Sequence, residues 1–275
     1  MKKKEVQVAT VFAIANQKGG VGKSTTAVNL SACIAEQGYS VLVIDIDPQG
    51  NATSGLGVEK DKMQNSIYQV MLGECSISDC ILHLRYKKHE DMKTFDLVPS
   101  DVNLSAVEVE LVNQEDKEYL LKKRLEPIKD KYDYIIIDCP PSLNLLTINA
   151  LTTADSVLIP IQCEFYALEG LAQLLYTIQL VHERLNSRLF VEGVIFTMYD
   201  SHTKLSRQVV DDVKENLNQY IFKTVIPRNV RLAEAPSYGL PVNIYDKKSE
   251  GAKSYKKLAK EIIKRRKALW QPGEA

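Results

Sequence analysis

Five stretches of the chain, residues 8–15, 41–44, 134–137, 156–161 and 189–196, are apolar and rich in β-branched side chains. Most run on without alternating with polar residues, which is the pattern of strands covered on both faces. Between them, residues 24–37, 166–184, 206–219 and 252–269 repeat apolar positions at helical spacing. The first of these stops at Gly38, a residue that readily takes the left-handed backbone that ends a helix. Strands alternating with helices predict an α/β fold, a mostly parallel twisted sheet flanked by helices on both faces. Residues 8–270 read as one domain, with 1–7 a short extension and 271–275 a tail. Residues 59–96 show neither period, and the Cys and His residues there have no ligand spacing.

At 275 residues, 45% hydrophobic and 25% charged, the chain has apolar material for one substantial core. The 35 Lys and Arg balance 35 Asp and Glu, so total charge points to neither a nucleic-acid binder nor an acidic tail. The distribution changes that picture: residues 1–200 hold 19 basic and 27 acidic side chains, whereas residues 201–275 hold 16 and 8. The last quarter is therefore expected to contribute a basic surface. The cysteines, Cys33, Cys75, Cys80, Cys139 and Cys163, are odd in number and form no C-x-x-C pair. That argues against a disulfide framework and a zinc or iron–sulfur site, and predicts a reducing, cytoplasmic compartment. No run reaches the ~18 apolar residues of a membrane span, and the basic start leads into a glycine-rich loop instead of a cleavage site.

The chemistry begins where the first strand ends. Asn16-Gln17-Lys18-Gly19-Gly20-Val21-Gly22-Lys23-Ser24-Thr25-Thr26 lies between a strand and a helix. A glycine-rich loop so placed wraps backbone N–H groups round a polyphosphate at the positive end of the helix dipole. Gly19, Gly20 and Gly22 permit the close approach, Lys23 reaches the β and γ phosphates, the Ser24 hydroxyl ligates Mg²⁺, and Val21 and Thr25 complete the cradle. A glycine-rich turn before a helix would explain the glycines but not the Lys-Ser-Thr that follows. The usual pattern G-x-x-x-x-G-K-[ST] has Gly where this chain has Gln17, and a second lysine, Lys18, comes next.

Two carboxylate segments also fall at strand ends, where an open parallel sheet binds its ligands. One is Val43-Ile44-Asp45-Ile46-Asp47-Pro48-Gln49-Gly50-Asn51; the other is Tyr134-Ile135-Ile136-Ile137-Asp138-Cys139-Pro140-Pro141. The second reads as a Walker B segment, with Asp138 holding Mg²⁺ through a water and completing a shell that Ser24 and phosphate oxygens begin. Pro140 and Pro141 argue against the alternative, a cap on an immediately following helix.

Lys18-Gly19-Gly20-Val21-Gly22-Lys23-Ser24 resembles the deviant Walker A motif of the ParA/MinD ATPases, and Asp45 to Gln49 is similar to that family's D-x-D-P-Q. Residues 45–51, Glu164-Phe165-Tyr166-Ala167-Leu168-Glu169-Gly170 and Ile226-Pro227-Arg228-Asn229-Val230-Arg231-Leu232-Ala233-Glu234-Ala235-Pro236-Ser237 narrow the likeness to the chromosomal ParA, or Soj, branch. The likeness runs from about residue 8 to residue 263 and implies a P-loop NTPase fold that hydrolyses ATP weakly with Mg²⁺. It implies that Lys18 acts across an ATP-bound homodimer on the partner's phosphates, as a cation aimed at developing charge. It also implies that Asp45 sits near the loop lysine and the metal-bound water, that Asp47 positions the attacking water, and that Pro227 and Asn229 lie beside the adenine.

The same resemblance implies an ATP-state dimer that binds double-stranded DNA without sequence preference until a ParB-like partner stimulates hydrolysis. Arg231 matches a DNA-binding arginine of that branch. A second such position falls within residues 199–207, where this chain has His202, a poorer phosphate contact. Lys204 and Arg207 compensate, and Arg228, Lys247, Lys248 and Lys253 extend the patch, although any one lysine reads equally as a solvated charge. Residues 1–7 are too short for a DNA-reading domain, so operator binding is not expected. Residues 252–270 set apolar positions 255, 258, 259, 262, 263, 269 and 270 against a lysine- and arginine-rich face. Such a helix can lie on a membrane, so a MinD-like membrane-surface ATPase is the alternative. Its place matches the last packing helix of the ParA fold, and no membrane is expected.

Overall fold

The computed structural model describes residues 9–86, 95–164 and 167–269, with the backbone alone for 167–169. Residues 1–8, Phe165, Tyr166, Trp270 and the tail 271–275 lie outside it, as do residues 87–94 of the stretch that gave no pattern. Seven strands form one sheet: β1 (Thr10–Ile14), β2 (Val41–Asp45), β3 (Leu82–His83), β4 (Phe95–Val98), β5 (Tyr134–Asp138), β6 (Ser156–Gln162) and β7 (Phe190–Thr197). Their order is β3-β4-β2-β5-β1-β6-β7, parallel throughout except for β3 against β4.

All five expected strands are present; β3 and β4 were not foreseen. In β4 the run Phe-Asp-Leu-Val is broken by Asp96, which is buried because it accepts from the Tyr132 hydroxyl at 2.7 Å and meets His83 Nδ1 at 2.8 Å. Glu192 breaks β7 in the same way. It is fully buried, takes the Ser156 hydroxyl at 2.9 Å, and pairs with Arg265 and Arg266 at 3.2 and 3.3 Å, which ties the last helix to the sheet.

Alternate strand residues supply two cores. Val11, Ala13, Ile135 and Ile137 face one layer with the helices Leu145–Thr153 and Ala167–Arg184. Phe12, Ile14, Tyr134 and Ile136 face the other with helix α1 (Lys23–Glu36) and the C-terminal helix (Glu250–Leu269). Helices thus cover both faces. The apolar stripe of the C-terminal helix, Tyr255, Leu258, Ala259, Ile262 and Ile263, is spent on this core, and Leu269 is exposed. Among the described residues no helix is long and apolar enough to cross a membrane.

Candidate nucleotide site and basic surface

Parallel register places the chemistry at one edge of the sheet. Asp138 stands directly opposite Ile14 on one side and Asp45 on the other, so both strand-end carboxylates meet the loop that leaves β1. That loop turns into α1 through Gly20 (φ 75°) and Gly22 (φ 87°), left-handed positions that a side chain would strain. Gly22 is the N-cap of α1 and supplies no side chain to it, so no side-chain cap covers the first backbone donors of the helix. Distant residues pin the loop: Asn16 Nδ2 donates to the Pro160 carbonyl at 2.7 Å, and Thr197 Oγ1 donates to the Val21 carbonyl at 2.8 Å. Asn16 Oδ1 accepts from the Lys18 amide at 3.0 Å.

Lys23 is 6% exposed, and its ammonium group donates to the Lys18 carbonyl at 3.1 Å. Burial pulls its pKa down, opposed by Asp138, Cys139 and Asp47. Lys18 is half-exposed and forms an ion pair with Glu164. Asp45 is saturated: Oδ2 takes the Thr53 amide and hydroxyl at 2.8 and 2.7 Å, and Oδ1 takes the Asp47 amide at 3.1 Å. Burial nevertheless raises its pKa to about 6. Asp45 thereby braces the turn that presents Asp47, whose Oδ1 accepts from the Gln49 amide at 2.9 Å and whose carbonyl accepts from the Ser100 hydroxyl at 2.7 Å.

Asp138 differs from both. It is fully buried, and neither carboxylate oxygen has a hydrogen-bond partner of normal geometry. Burial, then Asp45 and Asp47, push its pKa well up, while the nearby Ser24 hydroxyl and Lys23 act the other way. A buried carboxylate left without partners is costly, and a divalent cation is the partner that relieves it. The donor set therefore fits Mg²⁺, with Ser24 and Asp138 as the side chains that would hold it. Burial pushes the adjacent Cys139 thiol well up, which leaves it unreactive.

The basic residues of the last quarter come together through the backbone. Tyr199 N donates to the Ile226 carbonyl at 3.0 Å and Arg228 N to the Tyr199 carbonyl at 3.1 Å, setting the segment before Lys204 beside the one before Arg231. Lys204, Arg207, Arg228, Arg231, Lys247, Lys248 and Lys253 are all exposed. Arg207 donates to the Ser201 carbonyl at 3.0 Å, and Lys253 pairs with Glu250 at 2.6 Å. Arg231 rides on the one-turn helix Val230–Glu234, pairing with Glu234 at 2.7 Å and Asp246 at 3.5 Å. The Asn229 side chain caps that helix by accepting from the Arg231 amide at 3.1 Å, and Pro227 is half-buried beside Tyr199.

Sequence reasoning assigned no role to Glu164, Asn16, Thr53, Ser100 or Thr197. Each lies far along the chain from its partner or on a loop without a motif of its own. It also missed the hydrogen bond between the buried Thr26 and Tyr255 hydroxyls at 3.0 Å, which fastens α1 to the C-terminal helix.

A family model described as an AAA domain matches residues 9–191. The chain is 53% identical over 252 residues to the sporulation initiation inhibitor protein Soj of Bacillus subtilis, covering 92% of this chain and 97% of that protein. It belongs to the ParA/Soj family of P-loop ATPases. The chromosome partitioning protein ParA of Myxococcus xanthus is 49% identical over 258 residues, 94% of this chain and 89% of that one. Among solved structures, cobyrinic acid a,c-diamide synthase of Mycobacterium smegmatis, with bound ATP analog and magnesium, superposes with a TM-score of 0.83. It is 36% identical and covers 95% of this chain and 97% of that chain. Within the ParA/Soj family, the loop, Asp47 and Asp138 of this chain fall at the sheet edge where such folds take their ligands.

Proposed function

We propose that this ParA/Soj-family chain is a partition ATPase that binds ATP with Mg²⁺, dimerises in that state, and then holds double-stranded DNA without sequence preference. A ParB-like partner speeds its slow hydrolysis and so releases it. The observation that carries the ATPase reading is the fully buried Asp138, with no hydrogen bond of normal geometry, beside the Ser24 hydroxyl and the buried Lys23 at the mouth of the phosphate loop. Mg²⁺, when bound, supplies positive charge to the phosphate oxygens. The chain's own residues do the rest. Backbone donors from Gly19 to Thr25 and the Lys23 ammonium hold the polyphosphate, and Asp47 orients the attacking water. Lys18 leaves Glu164 to reach the partner's phosphates, adding a cation where negative charge develops. Pro227 and Asn229 flank the base.

ATP shifts the population toward the dimer because the contacts it makes exist only there, and dimerisation doubles the basic surface offered to DNA. Arg231 leads that surface, with Lys204, Arg207, Arg228, Lys247 and Lys248 tracking phosphates. The burial of the C-terminal helix stripe favours DNA over a membrane as the surface engaged. Binding to a random-sequence duplex at one fixed salt concentration, with ATP, ADP or no nucleotide, tests the reading. Binding in ATP alone that is lost in both Lys23→Ala and Arg231→Ala supports it. A wild-type protein that ignores DNA in every nucleotide state and sediments with liposomes overturns it.

A further inference from the structure

Cys75 and Cys80 lie outside the nucleotide site, and their sulfur atoms are 3.4 Å apart. Cys75 precedes and Cys80 ends the short helix Ile77–Cys80, which a reciprocal cap fixes: Ser76 Oγ accepts from the Asp79 amide, and Asp79 Oδ2 accepts from the Ser76 amide and hydroxyl at 3.1 and 2.7 Å. Cys75 is half-buried and reachable; Cys80 is buried and its thiol donates to the Ser66 carbonyl at 3.5 Å. Cys33, Cys139 and Cys163 are all buried.

We propose that Cys75 and Cys80 form a dithiol site that a small organic disulfide of the glutathione type converts reversibly into an intrachain disulfide. The sulfurs already touch, within a turn that its own cap holds closed, and a disulfide bond is about 2.05 Å long. Cys75 gives its proton to solvent, and its thiolate attacks one sulfur of the oxidant, forming a mixed disulfide and expelling one thiolate. Cys80 passes its proton to that thiolate and attacks the Cys75 sulfur, expelling the second, which takes a proton from solvent. The protein dithiol loses two electrons and two protons, and the small disulfide becomes two thiols.

The site is wired to the rest of the fold through Ser66. Its hydroxyl accepts from the Tyr68 amide at 3.2 Å to cap the helix Ile67–Leu72, and its own amide donates to Gln69 Oε1 at 2.8 Å. Gln69 in turn lines a cleft of about 470 Å³ with Pro48 and Gln49, directly after Asp47. Oxidation removes the S–H that the Ser66 carbonyl accepts.

The test incubates the full chain with oxidised glutathione, quenches in acid, alkylates in denaturant and maps peptides by mass spectrometry. Alkylatable thiols should fall from five to three, with a 75–80 cross-link that dithiothreitol reverses. Cys75→Ser, which removes the half-buried attacking thiol, should retain all four remaining thiols, whereas Cys80→Ser, which keeps a donor for Ser66, should hold glutathione as a mixed disulfide on Cys75 that dithiothreitol releases. One equivalent of phenylarsine oxide should bind per chain and be lost in either variant. In the wild-type chain, five thiols persisting, glutathione remaining as a stable adduct on Cys75, or a bridge through Cys33, Cys139 or Cys163 would overturn the proposal.

Discussion

The phosphate loop and the basic last quarter hold their cations in opposite ways. Lys23 is buried, donates to a backbone carbonyl and faces carboxylates fixed by strand register. Arg231 stands with its side chain 46% exposed, and its two partners, Glu234 and Asp246, are acidic neighbours on the surface. A buried cation in a pinned loop is aimed before any ligand arrives, and each interaction there acts in a low dielectric. An exposed arginine is shared between its own carboxylates and any incoming phosphate, and salt screens both. The pocket is thus built for chemistry at one point, whereas the surface is built for loose, reversible contact.

Removing the aimed charge should cost the most. Lys23→Ala is expected to lower ATP turnover by roughly 100-fold or more, measured as phosphate release at saturating ATP. Turnover within a few-fold of wild type would mean that the loop does not act on phosphate. Asp138→Asn should also abolish Mg²⁺-dependent turnover, yet raise the melting temperature of the nucleotide-free protein at neutral pH, because burial and the neighbouring Asp45 and Asp47 disfavour ionisation of this carboxyl in the fold. A lower melting temperature would contradict the account of that residue.

On the surface, Arg231→Ala should weaken DNA binding in ATP by roughly tenfold and reduce the slope of log affinity against log salt by about one. An unchanged slope would place Arg231 away from the phosphates. Glu234→Gln frees the arginine from its nearest competitor and should tighten DNA binding by roughly two- to threefold. The gain should vanish when Arg231 is also alanine; a gain that survives would belong to net charge alone.

A further effect is expected on stability against pH. The Asp45 pKa is raised from 3.8 to about 6 in the fold, so between those values the native state binds more protons than the unfolded one. Stability of the nucleotide-free protein should therefore fall as the pH rises through that window, and Asp45→Asn should flatten the fall. Chemical denaturation at a series of pH values reads it directly.

The same contrast explains what the sequence could reveal. The loop and both carboxylate segments are contiguous strings, and their strands are long and apolar enough to be seen. β4 hid because Asp96 interrupts it, and β3 because two edge residues carry no period. The helix Leu145–Thr153 hid because it is buried nearly all round, so it has no polar face to set a stripe. The pins of the pocket, Pro160 to Asn16, Thr197 to Val21 and Glu164 to Lys18, join residues more than a hundred positions apart. No local pattern encodes such pairs. The acidic partners of Arg231 escaped notice because a carboxylate beside an arginine looks like any other surface charge.

The bond between Thr26 and Tyr255, with the burial of α1 beneath the C-terminal helix, also sets an order of events during synthesis. The ribosome makes the phosphate loop more than two hundred residues before that helix. Helix α1 lacks the cover of Tyr255, Leu258, Ala259 and Ile262 until residues 250–269 leave the exit tunnel. A nascent chain stalled before that helix emerges would therefore hold the motif for ATP without all of the folded support around it.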